Sequence, residues 1–299
     1  MKVTQARALV RAVKGRAAWL DRGRVIIAGE YGTASIPTNV SGQWGQIPLD
    51  MAPDMVAGAG NVSDGIWRDG NVERHVTIGQ EAPLFALLTS ATAQPFTIDK
   101  ARAKWLTAAA PDRQGTLARP GLAQAVADNG RLFVTDRYCL HWLPIDGSIK
   151  GAIPVSVFMY AATHEANIVL QGDVWSVEGH GVQITGHSLS DVPNVGAVID
   201  AAFQRVRHDL PELFARAAID AQRSLGKVRV TVEYGDTITA SAGDASLTMP
   251  GFTPPAPLRV NAAYIEQAHV PGMDWFMTDT DRPIIGHASD RNVLVMPAR

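Results

Sequence analysis

The sequence predicts an α+β fold made of three similar copies of one structural unit. Each copy spans roughly a hundred residues and repeats the order helix, strands, helix, strands. A short marker stands before the second helix of each copy: Ile47-Pro48, Ile153-Pro154 and Val260-Asn261. We therefore expect three domains, each with two helices on antiparallel sheets, at residues 1–95, 96–201 and 202–299.

The first copy has the weakest pattern of the three. An amphipathic helix is predicted over residues 4–14, because its apolar residues share one face while its basic residues fall on another. A strand over residues 24–28, a short helix over 49–57 and a half-buried strand over 72–78 follow.

The second and third copies show clearer elements. For the second copy we predict helices over residues 100–109 and 155–163, and strands over 96–98, 131–135, 167–170, 174–177 and 182–185. For the third we predict helices over 204–218 and 262–268, and strands over 228–234, 237–240, 274–277, 283–286 and 293–296. The last strand is apolar and leads into Pro297, so we expect a surface that covers or uses its tip.

Composition indicates a folded protein of the cytoplasm. The 299 residues are 46% hydrophobic and 19% charged, which is ordinary for a globular chain long enough for two or three domains. No apolar run approaches the ~18–20 residues that cross a membrane, and the first residues lack the apolar core of a signal peptide. The single cysteine, Cys139, excludes an internal disulfide and fits a reducing compartment. We therefore expect a cytoplasmic protein with no membrane partner.

The chemically reactive side chains do not form a recognisable enzyme site. His164-Glu165 opens like a zinc-protease motif, but Ile168 occupies the place of the second histidine. Cys139 lies in an apolar segment and is predicted to be an inert buried thiol. We therefore expect no catalysis, no metal and no cofactor.

Four short motifs stand out in the second and third copies. They are Val-Thr-Asp-Arg-Tyr-Cys-Leu at 134–140, Val-Pro-Asn-Val-Gly-Ala-Val-Ile at 192–199, Val-Asn-Ala-Ala-Tyr-Ile at 260–265 and Val-Met-Pro-Ala-Arg at 295–299. They resemble motifs of bacterial DNA sliding clamps, the ring-shaped β subunit of the replicative DNA polymerase. In the same order, the family motifs are Ala-Thr-Asp-Gly-x-Arg-Leu, Phe-Pro-Asp-Tyr-x-x-Val-Leu, Phe-Asn-x-x-Tyr-Leu and Val-Met-Pro-x-Arg. Their order and spacing agree over residues 96–299, and residues 1–95 agree in outline. The chain is shorter than typical members, which a compact, phage-encoded version would explain.

The resemblance implies a groove between the second and third domains that binds a short peptide displayed by the DNA polymerase and the clamp loader. Carried over residue by residue, its lining is Thr135, Leu140, Pro193, Val198, Val295, Met296, Pro297 and Arg299. An apolar groove that contains a flexible methionine suits several related peptides. The competing interpretation is that Leu140, Val198 and Val295 are ordinary core residues.

Departures from the family pattern lie in and near this groove. The Gly, the Arg and the second Met of the family are Arg137, Cys139 and Ala298 here. We therefore expect a groove of different shape with a different preferred peptide. A Lys that the family often places in the second helix of the middle domain is Ser156, which removes one expected positive contact.

The resemblance also implies that two protomers close head to tail into a ring around duplex DNA, since a heterologous contact that closes gives a ring. Helices would line the hole, so their inward faces should be basic although the net charge is −2. The residues expected to contact DNA are Arg7, Arg11, Lys14, Lys100, Lys104, Arg205, Arg216, Asn261 and Tyr264. Such contacts to phosphates are independent of base sequence and sensitive to salt. The competing interpretation is a set of ordinary solvated helix faces.

The expected function is a DNA sliding clamp, a processivity factor that encircles duplex DNA and tethers a polymerase. Its partners would be duplex DNA, the polymerase, the clamp loader and a second copy of itself. One rival is a clamp-like interaction scaffold that does not encircle DNA, which the weak first copy and Ser156 favour. A further rival is a metal-dependent hydrolase that uses Asp279, Asp281 and His287.

Overall fold

The computed structural model describes residues 1–79, 82, 94–189, 193–205, 207–226, 229–277 and 283–298. The helices are α1 (Val3–Ala12), α2 (Ala52–Ala57), α3 (Lys100–Thr107), α4 (Arg113–Ala118), α5 (Val155–Thr163), α6 (Gly196–Phe203), α7 (Glu212–Leu225) and α8 (Ala262–Ala268), with a 3-10 turn at Pro120–Leu122. Within these ranges, no helix combines the length and the apolar character needed to span a bilayer.

The strands follow one another in short, mostly hairpin-connected runs. The first run is β1 (Gly15–Asp21), β2 (Arg24–Gly29), β3 (Thr33–Pro37), β4 (Asn39–Gly42), β5 (Gly45–Ile47), β6 (Ala59–Ser63), β7 (Ile66–Asp69), β8 (Val72–His75) and β9 (Thr77–Ile78). The second is β10 (Gln124–Asp128), β11 (Arg131–Thr135), β12 (Cys139–Pro144), β13 (Lys150–Pro154), β14 (Asn167–Gly172), β15 (Val174–Gly179) and β16 (Val182–His187). The third is β17 (His208–Leu210), β18 (Thr231–Tyr234), β19 (Thr237–Ala242), β20 (Ala245–Pro250), β21 (Leu258–Asn261), β22 (Asp274–Met277), β23 (Ile284–Ala288) and β24 (Arg291–Val295).

The chain packs as two compact units. Unit 1 contains residues 1–103 and 148–190, and unit 2 contains residues 104–147 and 191–299. The α+β class is confirmed in both units, whereas the division into three similar domains stays a prediction.

Unit 1 holds two sheets and the helices α1, α2 and α5. Its larger sheet has the order β13-β14-β15-β16-β3-β2-β1-β5-β9, and its smaller sheet has the order β4-β6-β7-β8. Neighbouring strands are antiparallel except for two parallel pairs, β13 with β14 and β4 with β6. Helix α1 packs against α2 and α5. Its Ala6 and Leu9 are fully buried, while Arg7 and Arg11 on its other face are exposed. The amphipathic pattern of α1 is therefore confirmed.

Unit 2 also holds two sheets, and all their described pairings are antiparallel. The larger has the order β17-β22-β23-β24-β12-β11-β10, and the smaller has the order β20-β19-β18-β21. Strand β24 is an interior strand, because β23 and β12 pair with it on its two sides. Helix α7 packs on α8 and buries Phe214 and Ala218. The apolar run near residue 293 is thus the middle of a sheet.

Several predicted elements agree with the structure residue for residue. The strand over 131–135 and the helices over 155–163 and 262–268 are confirmed. These segments combine a strong periodicity with clear boundaries. Pro154, for example, precedes α5 directly, where a residue without an N–H costs no hydrogen bond.

Three predicted elements were wrong. The helix over 204–218 begins only at Glu212, because Pro211 disfavours a helical backbone at Leu210, which instead belongs to β17. The strand over 96–98 is a single bridge between Phe96 and Ile168. The strand over 72–78 is split by Val76 into β8 and β9, and all residues of both strands are exposed.

Candidate binding site around Met296

The turn between β11 and β12 is fixed by the side chains of Thr135 and Asp136. Asp136 Oδ1 accepts hydrogen bonds from the backbone N–H groups of Tyr138 at 2.8 Å and Cys139 at 2.7 Å. Thr135 Oγ1 accepts from the Arg137 N–H at 2.9 Å and donates to the Cys139 carbonyl at 2.8 Å. Both side chains therefore work inside the turn, as Ser, Thr and Asp commonly do.

Arg137 occupies a backbone conformation that usually belongs to glycine. Its φ is +85°, a left-handed value that costs an L-residue roughly 1–2 kcal/mol. The hydrogen bonds of Thr135 and Asp136 hold this conformation in place. The result is a long, exposed cationic side chain at the tip of the turn.

The segment after β24 is held beside this turn by two backbone hydrogen bonds. The Met296 N–H donates to the Tyr138 carbonyl at 2.8 Å, which continues the pairing of Val295 with Cys139. The Ala298 N–H donates to a carbonyl of β21 at 2.8 Å. Met296 keeps 36% of its surface exposed despite these anchors.

Helix α6 forms the opposite wall and is fastened to the sheet at two points. Arg131 Nη2 of β11 lies 2.6 Å from Asp200 Oδ1 of α6. The Phe203 ring of α6 meets the Trp142 ring of β12 edge to face, with centroids 5.6 Å apart. These contacts leave Val198 pointing away from the core, with 50% of its surface exposed.

A small hollow, which we call the apolar hollow, lies between these elements. Its volume is about 200 Å³, and its lining is Thr135, Arg137, Tyr138, Cys139, Leu140, Pro193, Val195, Val198, Leu294 and Met296. A second apolar depression of about 350 Å³, the side hollow, adjoins it at Val198 and Met296, and its other lining residues are Ala197, Ala201, Ala202, Arg205 and Pro283. Exposed Val and Met side chains that border concave space are typical of a binding surface.

A larger hollow on the other side of Met296 is polar. This polar hollow has a volume of about 570 Å³, and its lining is Arg137, Tyr138, Arg229, Asn261, Tyr264, Met296, Pro297 and Ala298. It shares Arg137, Tyr138 and Met296 with the apolar hollow. A single bound segment can therefore occupy both.

Asn261, the last residue of β21, and Tyr264 of α8 both line the polar hollow. The Asn261 side chain caps this helix by accepting a hydrogen bond from the Ala263 N–H at 3.1 Å. The Tyr264 hydroxyl donates to Asp136 Oδ2 at 2.8 Å. Burial raises the pKa of Tyr264 well above its ordinary value, and the hydrogen bond and charge of Asp136 raise it further. The phenol is therefore a fixed, protonated wall of the site.

Most of the residues predicted to line one groove do lie together. Thr135, Leu140, Pro193, Val198 and Met296 border the apolar hollow, and Pro297 borders the polar one. Arg299 lies outside the described residues.

Val295 was assigned to the groove incorrectly. It is fully buried and sits in the sheet between β12 and β23, as the competing core interpretation expected. Successive side chains of a strand point to opposite faces, so Leu294 borders the apolar hollow in its place. The two-residue spacing of Leu294 and Met296 was the signal that could have shown this. Arg229 also lines the polar hollow, and no sequence pattern predicted that it would belong to the site.

The predicted DNA-contacting residues differ in their surroundings. Arg7, Arg11, Lys100 and Lys104 are exposed on α1 and α3. Arg216 is exposed on α7, where its guanidinium lies 3.8 Å from Asp220.

Two other members of that set do not lie on helices. Lys14 follows the end of α1, pairs with Glu30 at 3.1 Å and stands over the Tyr31 ring. Arg205 follows α6 and borders the side hollow. Arg205 was expected on a helix because a helix was predicted over 204–218, and the structure begins that helix only at Glu212.

Cys139 and His287, two of the candidate reactive residues, lie in the described part of the chain. Cys139 is buried, and burial raises the pKa of its thiol well above the ordinary value. His287 Nδ1 lies 2.7 Å from Asn292 Oδ1 on the next strand, while Asp279 and Asp281 lie outside the described residues. Across the part of the chain that the structure describes, no three His, Cys, Asp or Glu side chains come together to hold a metal ion.

Comparison with solved structures identifies the fold as that of bacterial DNA sliding clamps. A DNA polymerase sliding clamp from Bacillus subtilis aligns over 100% of this chain and 96% of its own, with TM-score 0.67 and 14% identity. The Helicobacter pylori beta clamp bound to a DNA ligase peptide aligns over 99% and 96%, with TM-score 0.66 and 12% identity. A Bartonella birtlesii sliding clamp, DNA polymerase III subunit beta, bound to griselimycin, aligns over 100% and 98%, with TM-score 0.66 and 16% identity. No family model matches the sequence, and no curated protein does.

Proposed function

We propose that this protein is a DNA sliding clamp that encircles duplex DNA as a head-to-tail homodimer and tethers a DNA polymerase. The observation that carries the proposal is the clamp fold, which spans 99–100% of the chain rather than one domain. The three predicted domains, at residues 1–95, 96–201 and 202–299, would then supply half of a six-domain ring. The role requires no catalysis and no cofactor, and it belongs in the cytoplasm.

The hollows around Met296 are the proposed docking site for the polymerase and the clamp loader. The apolar hollow offers a pocket for one side chain, and the side hollow offers a second. Exposed Val198 and Met296 lie between the two. We assign Asn261 and Tyr264 to this docking site rather than to DNA, because they line the polar hollow.

The proposed DNA contacts come from exposed basic side chains of helices. Arg7, Arg11, Lys100 and Lys104 are the strongest candidates, because the described residues supply no ion-pair partner to them. A net charge of −2 gives little general attraction to phosphates, so retention on DNA would come from topology and binding to short linear duplexes would be weak.

Two measurements test this proposal. The first is the mass in solution, which should be twice the 32.0 kDa of one chain; a monomer across micromolar concentrations would contradict it. The second places the protein on a nicked circular duplex with a bacterial clamp loader. The protein should stay on the circle at high salt and leave when a restriction enzyme cuts it.

The second candidate is a clamp-fold scaffold that does not encircle DNA. The observation that favours it is the partial neutralisation of the predicted DNA surface, since Lys14 pairs with Glu30 and Arg216 with Asp220. Such a scaffold would bind peptides at the docking site but would not be retained on circular DNA.

A further inference from the structure

The polar hollow carries positive charge without a matching carboxylate in its lining. Arg137 and Arg229 are both exposed and both border it. Among the described side chains, neither guanidinium forms an ion pair. The protein as a whole is slightly acidic, so this concentration of positive charge is a local feature.

The carboxylate of Asp136, which contacts Tyr264 of the lining, already has hydrogen-bond partners. Its Oδ1 accepts two backbone hydrogen bonds and its Oδ2 accepts the Tyr264 hydroxyl. It therefore serves the turn and α8, and it leaves the two arginines available to a bound group.

The backbone of Arg137 has a positive φ, as it does at seven other described non-glycine residues. Glycine would adopt a φ of +85° at lower cost than arginine. Backbone strain of this kind persists where the surrounding structure enforces it, and it concentrates at ligand-binding positions. Here the strained residue places its guanidinium at the border between the apolar and polar hollows.

We propose that the polar hollow binds an aspartate or glutamate side chain of the partner peptide, whose apolar side chains fill the apolar and side hollows. Arg137 and Arg229 bind the carboxylate, because the planar guanidinium fits a carboxylate and is the common partner in such recognition. The two kinds of anchor are a few residues apart in an extended peptide, since the hollows share Arg137, Tyr138 and Met296. This inference rests on the proposed function, in that it names the chemistry of the segment that docks there.

Fluorescent octapeptides with two fixed leucines for the apolar and side hollows and one Asp, moved through the other positions in turn, test the inference. Each has a matched Asn version, and binding is followed by fluorescence polarisation. For at least one position, the Asp peptide should bind roughly 10-fold more tightly than its Asn version, the value of one charge-assisted hydrogen bond. The preference should weaken as salt rises.

Substitutions of single arginines test which side chains cause the tighter binding of the Asp peptide. Arg137→Gln and Arg229→Gln should each reduce the Asp-to-Asn ratio, and Arg137→Lys should retain part of it, because the charge remains on the same backbone. Arg223→Gln is the matched control, since Arg223 is exposed and pairs with Glu266 at 3.3 Å outside the hollow. It should leave the ratio unchanged.

Equal binding of Asp and Asn peptides at every position, or no binding by any peptide, would overturn the inference. If both peptides bind equally and Met296→Ala weakens both, the docking site stands and only the acidic preference falls. If the preference holds but the protein is not retained on circular DNA, the ring function fails while the inference stands.

Discussion

The Tyr264 hydroxyl donates a hydrogen bond to Asp136 Oδ2 at 2.8 Å, across 128 residues of sequence. The bond ties α8 to the turn between β11 and β12, and so joins two walls of the polar hollow. Because Asp136 also caps that turn through Tyr138 and Cys139, its side chain couples the shape of the turn to the position of the helix.

Tyr264→Phe removes this bond and leaves Asp136 Oδ2 without its partner. We expect the free energy of unfolding to fall by about 1–2 kcal/mol, because hydrogen bonds to charged groups contribute about 1.5–3 kcal/mol and this one is only partly buried. Urea unfolding measures the change. Tyr138→Phe is the control, because Tyr138 is 59% exposed and its hydroxyl has no hydrogen bond to a described residue. An equal loss in both variants would contradict the role of the Asp136 bond.

Arg137→Gly should stabilise the protein relative to Arg137→Ala. Both variants lose the side chain, but only glycine relieves the left-handed backbone. The gain is partly offset by the greater chain entropy of glycine in the unfolded state, which leaves about 0.5–1 kcal/mol. Thermal unfolding of the two variants compares them directly. If Arg137→Ala proves as stable as Arg137→Gly, the backbone at this position is not strained.

Met296→Ala should weaken peptide binding far more than it weakens folding. The side chain borders all three hollows and is 36% exposed, so we expect a binding loss of about 2 kcal/mol, as for an interface hot spot. Deletion of residues 297–299 should likewise give a folded dimer with impaired binding. Affinity, mass and melting temperature are measured together. Unfolding of the truncated protein would show that this segment is core.

Val295→Ala is the matched opposite of Met296→Ala. Val295 is fully buried between β12 and β23, so its truncation should cost about 1–3 kcal/mol of stability. Peptide affinity should change little wherever the variant remains folded. If Val295→Ala loses peptide binding but keeps its stability, Val295 contacts the peptide and belongs to the groove.

His141 should make the protein less stable in mild acid. It is fully buried, its Nδ1–H donates to the Trp105 carbonyl at 2.7 Å, and its ring stacks on the Trp105 ring. Burial lowers its pKa from 6.5 to about 4. The unfolded chain therefore takes up the proton first as the pH falls, and stability is lost between pH 6.5 and about 4.

The expected loss from His141 is about 2 kcal/mol between pH 7 and pH 5. Urea unfolding at several pH values measures it. His141→Phe keeps an aromatic ring beside Trp105 but removes the proton-binding group. Its stability should be lower at pH 7, and the difference between the two proteins should shrink as the pH falls. A constant difference would contradict the assignment.

Arg7 and Arg11 share one exposed face of α1, four residues apart. If both residues contact phosphates, the double variant Arg7→Gln, Arg11→Gln should bind DNA with a weaker salt dependence. The slope of log affinity against log salt concentration should become less negative by almost two, since each phosphate contact contributes about −0.9. Titration of a short duplex at several salt concentrations measures the slope. The control is Arg68→Gln with Arg74→Gln, two arginines of β7 and β8 that lie near acidic side chains. An equal change of the slope in the control would show that the effect comes from the lower net charge of the protein and not from contacts of Arg7 and Arg11 with DNA.

Much of the local structure could be predicted from the sequence, because the energies involved are local. Residues 155–163 fold as a helix after Pro154, and residues 262–268 fold as one after the Asn261 cap. The motifs that resemble sliding clamps also indicated the fold that the structural comparison confirms. Short-range propensities failed where a single residue dominated, as Pro211 did by delaying the start of α7.

Only the tertiary structure decided which residues share the site. Leu294 and Val295 are adjacent, apolar and both buried between β12 and β23, yet only Leu294 borders the apolar hollow. The sequence by itself determined that this run is a buried strand, since alternation and hydrophobicity are properties of neighbours. Which face meets a hollow depends on the pairing of β24 with β12, which lies far away in the sequence. Arg137 and Arg229 are also distant in the sequence, and only the folded chain brings both to the lining of one hollow. Such pairings are fixed by the packing of the whole sheet, and no local pattern records them.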